Sequence, residues 1–245
     1  LVNVDSRFDL GDSNEPMTNE SFVGKVIVEQ PYNLFNYSNI GFQTYFNSQE
    51  EIDLMDKLYF DAYRLGTITN DIIIVEPVMR DADIVTFDLG AIQSNTLGFM
   101  HHNKPNGLNG KECCAIARYA GISDKVSVFG IFEYTLTKQI EAASALIAEM
   151  LWYFIEGVNF RVNEQVSEMR KNFLHYAVPV EDEVLSFYKS DKTERWWIEI
   201  PFLQGLNNKL KRHTLLPCTY QDYLNACNQE IPERWYKARR KNEIL

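Results

Sequence analysis

The stretch Leu1-Val2-Asn3-Val4-Asp5-Ser6-Arg7-Phe8-Asp9 constrains the chain more than any other. Its short apolar, β-branched run reads as a buried strand. The run ends in two carboxylates, Asp5 and Asp9, with Arg7 midway between them. In open α/β sheets, ligand sites lie just beyond the carboxyl ends of the strands. A second run, Asp83-Ile84-Val85-Thr86-Phe87-Asp88, also ends in an aspartate, and a third, 126–133, ends in Glu133. Three strand ends therefore carry acids. Carboxylates brought together repel one another and must be neutralised by protons, metal ions or cationic side chains.

Between these runs the chain alternates strands with helices, which implies a mainly parallel α/β sheet. Residues 23–29 are a short apolar element, and 37–46 read as a strand. Ser48 suits an N-cap, followed by Glu50, Glu51 and Asp53 where the helix dipole favours acids. Ile52, Met55 and Leu58 share the apolar face of that helix. Residues 59–65 suit a further strand closed by Gly66, and 69–80 a helix with Pro77 awkward in its interior. Residues 111–120 read as a helix with Gly121 as its stop, and 137–157 as a long apolar helix. Residues 90–110 form a loop with four asparagines, and loops of this length are usually functional. Beyond 160 the pattern changes to scattered aromatics, Trp196, Trp197 and Trp235, between prolines and polar residues. The expected organisation is an α/β domain over 1–160. An irregular, aromatic-rich appendix over 161–245 is expected to pack on that same domain.

The 245 residues are 45% hydrophobic and 24% charged, enough to bury a sizeable core. A net charge of −10 argues against nucleic-acid binding, which needs a Lys/Arg excess. No apolar run approaches the roughly 20 residues of a membrane helix, so no membrane insertion is expected. The four cysteines show no CxxC spacing, which suits reduced thiols in a cytoplasmic protein better than disulfides or zinc. The chain opens directly on a strand without an initiator Met, so a longer protein is expected.

Several segments together resemble the ureohydrolases, the arginase, agmatinase and formimidoylglutamase family. Residues 1–9 resemble that family's Asp-Ala-His-x-Asp strand end, and Thr86-Phe87-Asp88-Leu89-Gly90 its Ser-Phe-Asp-x-Asp segment. Asn39-Ile40-Gly41-Phe42-Gln43 is similar to its Ile-Gly-x-Arg strand, and Gly130-Ile131-Phe132-Glu133 to the segment bearing its substrate-contacting glutamate. The order matches, and the resemblance covers 1–157. The stretches 60–66, 118–121, 195–197 and 231–235 resemble an arginase-like group of Bacteroidetes-type bacteria. The resemblance implies a three-layer α/β/α fold whose N-terminal strands are missing from this chain. It also implies two Mn2+ ions that activate a hydroxide for hydrolysis of a guanidino or formimino C–N bond. Asp5, Asp9 and Asp88 would be the metal ligands and Glu133 the substrate contact. Trimers or hexamers are common in the family, so a homo-oligomer is expected by analogy.

The chain departs from that pattern at two ligand positions. Arg7 stands where the family has its strand-end histidine, and Gly90 where it has the second aspartate. The family's other histidine, in a Gly-Gly-Asp-His segment upstream, has no counterpart here. A guanidinium cannot ligate a metal and does not deprotonate. Arg7 is therefore expected to supply the charge that Mn2+ supplies in active relatives, leaving a degenerate, salt-bridged site with weak or absent metal. The leading expectation is a non-catalytic binding or scaffolding subunit with a protein partner. The alternative is an active Mn-dependent hydrolase using the retained acids. Other candidates have plainer readings: His101 and His102 as surface loop, Cys113 and Cys114 as core thiols, and Lys209, Lys211 and Arg212 as solvated charges.

Overall fold

The computed structural model describes residues 1–12, 14–98, 104–134, 141–164, 173–201 and 215–244. These fall into two compact units, Leu1–Arg161 and Val162–Leu245.

The first unit is built on five strands: β1 (Val2–Val4), β2 (Ser38–Phe42), β3 (Asp61–Arg64), β4 (Ile84–Asp88) and β5 (Val128–Phe132). Their order is β3-β2-β1-β4-β5, and every pair is parallel. The chain builds outward from β1 to β3, then returns to the other side of β1 to lay down β4 and β5. The order therefore reverses between β1 and β4. In doubly wound sheets a crevice opens at that reversal, beyond the strands' carboxyl ends.

Helices cover both faces. Val2, Val4, Val85 and Phe87 point into one core, which also receives Ile68 of α3 (Leu65–Asn70) and Val78 of α4 (Val75–Arg80). Ile116 of α6 (Gly110–Ile122) and Met150 of α7 (Glu141–Asn159) complete it. On the other face, Val23 of α1 (Phe22–Val28) and Met55 of α2 (Gln49–Lys57) pack with Phe8, Phe42 and Phe60. A register shift after Ile40, with Gly41 at φ 98°, turns Phe42 into this second core. That φ is accessible to glycine at little cost. The arrangement is the three-layer α/β/α architecture with a parallel sheet expected from the sequence.

Several boundaries differ from expectation for physical reasons. Ser48 caps α2 as foreseen and forms a reciprocal capping box with Glu51. The expected helix over 69–80 is instead α3, a 3-10 turn at Ile72–Ile74 and α4. Pro77 then falls in the first turn of α4, where its missing N–H has no intrahelical partner to lose. Gly66 lies within α3 rather than closing a strand. Gly121 does not stop α6 but lies inside it. A Cβ there would strike the Phe154 backbone of α7, and one on Gly157 would come 2.7 Å from the Arg118 carbonyl oxygen. These two glycines let α6 and α7 cross backbone to backbone. The expected loop 90–110 contains the short α5 (Ser94–Leu97), and His101 and His102 lie outside the described residues.

The second unit corrects the expectation of an irregular appendix. It contains a four-stranded antiparallel sheet in the order β6 (Leu174–Val180), β7 (Glu183–Lys189), β8 (Trp196–Glu199), β9 (Leu215–Cys218). Helices α8 (Tyr220–Cys227) and α9 (Glu233–Ile244) follow. Trp235 is buried against Phe187, Trp196 and Ile198, and its indole N–H donates to the Glu199 carbonyl at 2.7 Å. The aromatics that looked scattered are this unit's own core. Lys209, Lys211 and Arg212 lie outside the described residues.

Replacing Gly121 with alanine should push α6 off α7. The expected loss is about 1–3 kcal/mol of unfolding free energy, the usual range for overpacking a tight contact. Urea titration of the variant against the parent checks it.

Candidate functional site

The site lies at the crevice between β1 and β4. Val4 pairs with Phe87, so Asp5 and Asp88, each the next residue, leave adjacent strand ends in register. Asp9 returns to the same place because its backbone adopts φ 55°. That conformation turns its carbonyl to the Val23 and Gly24 amides at the start of α1, 3.1 and 3.2 Å away. Its carboxylate accepts a bond from the Asn3 side-chain amide at 2.8 Å. Asn3 in turn accepts from the Thr86 hydroxyl at 2.8 Å, so β1 and β4 are tied beneath the acids. Asp5 and Asp9 are 4% and 3% exposed. Such burial, with Asp88 half-buried beside them, is costly unless the charge is offset.

Two devices offset it. The first is protonation. Burial and the Asp5 charge push the Asp9 carboxyl up to about 9, so it is a neutral acid at pH 7 and hydrogen-bonds to Asp5. Burial, then the Asp5 charge, raises Asp88 to about 7. Burial also raises Asp5, opposed by bonds from the Arg7 amide and Asp9 and by the Lys104 charge.

The second device is Lys104, whose ammonium donates to the Ser6 hydroxyl at 3.1 Å and to the Gly90 carbonyl at 2.8 Å. Ser6 passes that polarity on, donating to Asp5 Oδ1 at 3.2 Å. Gly90 does the same on the other side, its amide donating to Asp88 Oδ1. The ammonium is thus bridged to each carboxylate through one residue. It also lies 4.9 Å from the centre of the Phe46 ring, a cation–π contact.

The geometry relocates the role expected of Arg7. Its guanidinium pairs with Glu20 at 3.7 Å, lies over Phe46 at 5.3 Å and is 39% exposed. Of the three strand-end aspartates Arg7 reaches only Asp5, and only through its backbone amide, which donates at 3.1 Å. The cation among the acids is Lys104. Gly90 matters for what it admits, since a Cβ there would lie 2.7 Å from Asp88 Oδ1 and 3.2 Å from the Lys104 ammonium. Glu133, one residue past β5, is half-buried beside Asp88, and its charge adds to the rise there. Reasoning from strand ends missed Lys104 because it lies in the loop. The available signal was that it is the one Lys or Arg in residues 90–110.

The described residues do not fit the pair of Mn2+ ions that the resemblance implies. Hard divalent ions need several open oxygen or imidazole donors around one point. Here Asp5 Oδ1 takes two donors, Asp88 takes the Gly90 amide, and the Lys104 ammonium is held beside them by the Ser6 hydroxyl and the Gly90 carbonyl. No group of three or more His, Cys, Asp or Glu among the described residues is placed to hold a metal ion.

The reversed strand order, the acids at its crevice and the two helical layers define an arginase-type α/β/α fold. Solved structures agree. The chain is similar to Trypanosoma cruzi formiminoglutamase with Mn2+, at TM-score 0.59 and 15% identity over 66% of this chain and 57% of that one. It is likewise similar to Bacillus subtilis formimidoylglutamase, at TM-score 0.55 and 14% identity over 66% and 54%. Entamoeba histolytica arginase in complex with L-ornithine follows at TM-score 0.53 and 14% identity over 62% and 58%. At these identities the likeness is one of fold. The chain spans a little over half the length of the structures it matches. No family model and no curated protein matches the sequence. Among the described residues, no helix is long and apolar enough to cross a membrane.

The raised acids set a pH dependence. A carboxyl raised above its unfolded value near 3.8 holds its proton longer in the folded state, so its contribution is present below that value and is lost as pH rises through the folded one. Stability should therefore decline between about pH 4 and pH 9 through Asp88 and Asp9. Asp9→Asn, which mimics the neutral acid, should flatten this decline. Urea midpoints across the pH range check both.

Proposed function

We propose that this protein is a non-catalytic binding or scaffolding subunit of the arginase and formimidoylglutamase type, with a degenerate binuclear metal site. The observation that carries the reading is the Lys104 ammonium bridged to Asp5 and Asp88 through Ser6 and Gly90. An ammonium offsets negative charge but has no vacant coordination position on which to activate water. Gly90 supports the same reading because it supplies no side-chain donor. Under this reading the protein works in the cytoplasm with a protein partner and self-associates.

The competing reading is Mn-dependent hydrolysis of a guanidino or formimino C–N bond. It draws on Asp5, Asp9, Asp88 and Glu133 being gathered at neighbouring strand ends. The two separate cleanly. Elemental analysis of protein purified without chelator and incubated with Mn2+ should give far less than one ion per chain, with no release of urea, ammonia or formamide from guanidino and formimino substrates. Close to two Mn2+ per chain with Mn-dependent release would overturn the scaffolding reading.

A further inference from the structure

We infer that the open edge of β5, with the apolar flank of α7 beside it, is the surface through which two copies of this chain join about a twofold axis. The inference rests on the self-association in the reading above and adds where it occurs.

β5 is the last strand of its sheet, and among the described residues nothing pairs with its outer side. An edge strand leaves backbone N–H and C=O groups unpaired, and soluble proteins blunt such edges with charges, proline or bulges. The opposite edge is blunted: β3 runs from Asp61 to Arg64 and has a register shift beside it. β5 reads Val128-Phe129-Gly130-Ile131-Phe132, without a charge or a proline. Phe129 and Ile131 face the core under α6 and α7. Strand alternation turns Val128 and Phe132 to the other face, where each is 52% exposed. α7 is tied to this strand by stacking of Phe154 on Phe129 at 4.8 Å. A hydrogen bond of 2.8 Å between the Tyr134 and Ser144 hydroxyls ties it again. Away from its buried stripe the helix exposes Leu151, Trp152 and Ile155, the last two each 60%. An apolar stripe on a helix ordinarily packs against a partner.

The occupant is a second copy because the edge complements itself. Antiparallel pairing centred on Gly130 sets Val128 opposite Phe132 of the other copy, and does so twice. Such aromatic and β-branched pairs stabilise strand contacts. Strands join about 4.8 Å apart. That brings the two α7 helices, each over its own β5, side by side with Leu151 and Ile155 between them. The exposed parts of Val128, Phe132, Tyr134, Leu151, Trp152 and Ile155 offer on the order of 600 Å2 per copy. Each partner gives about 600–1,000 Å2 to a standard interface.

Sedimentation of the full 245-residue chain at micromolar concentration should show a dimer, twice 28.5 kDa. Val128→Lys/Phe132→Lys adds the charges that blunt natural edges and should weaken association at least about a hundredfold, with a cooperative urea transition retained. Ile73→Lys, at a similarly exposed side chain outside this surface, should stay dimeric. Leu151→Glu/Ile155→Glu, on the helix, should match the lysine pair and carries the test where that pair does not fold. A dimer that persists in the double variants overturns the inference and leaves self-association standing. A trimer or larger ring overturns it too, because two edges close on each other. A monomeric parent overturns the inference and the self-association together, and leaves the edge to a different polypeptide. Mn2+ content is independent of each outcome, so the non-catalytic reading is judged separately.

Discussion

The crevice of the first unit depends on one electrostatic constraint. Parallel pairing of β1 with β4 places two aspartates side by side at the sheet's switch point, and the turn after β1 returns a third to the same spot. Burying two carboxyl groups beside a half-buried third is tolerable only if charge is removed or matched. Both routes are open here: burial favours the neutral form of Asp9, and Lys104 brings an ammonium. Neither device alone covers all three acids. The proton joins Asp9 to Asp5, and the ammonium reaches Asp5 and Asp88 through neutral intermediaries.

That solution accounts for residues that otherwise look incidental. Ser6 is both acceptor for Lys104 and donor to Asp5. Asn3 is both donor to Asp9 and acceptor for Thr86, which places a neutral amide where a third charge would be untenable. Asn47 holds the turn itself, donating to the Ser6 carbonyl at 3.1 Å and accepting from the Phe8 amide at 2.8 Å. Each of these side chains works in two directions at once, which is how a buried polar network avoids unsatisfied groups.

Much of this was legible in the sequence because it is local. A β-branched run ending in aspartate needs only a few residues to declare a strand end, and Ser48 with Glu51 declares a helix start within four. Asp5, Asp9 and Asp88 could be grouped in advance because strand ends of a parallel sheet share one edge. Other features depend on distant residues. The guanidinium of Arg7 is adjacent in sequence to the acids yet finds Glu20 and Phe46 instead, since the Asp9 turn carries it outward. Lys104 is separated from Ser6 by 98 residues, and no periodicity links them. Gly121 reads as a helix stop until the helix packed against it is known. In the second unit, Trp196 and Trp235 lack a spacing that announces a core, because their partners come from a sheet and a helix whose meeting is non-local.

The difference between Arg7 and Lys104 follows from side-chain shape. A guanidinium is planar and wide, and it prefers a partner that meets its edge or face, such as a carboxylate or an aromatic ring. In the crevice one oxygen of each acid is already taken, by Asn3, Ser6 and the Gly90 amide. An ammonium is a compact point charge on a thin stem and suits two separate oxygens set apart in space. Phe46 then serves both cations, lying 5.3 Å from the Arg7 guanidinium and 4.9 Å from the Lys104 ammonium. A small cation bound by oxygens at a switch point is also what a divalent metal would be. The ammonium differs in being tethered to the chain, so its occupancy does not depend on supply, and in leaving no position at which a water could be polarised. The acidic crevice of this fold thus meets its own charge with a side chain delivered from a distant loop.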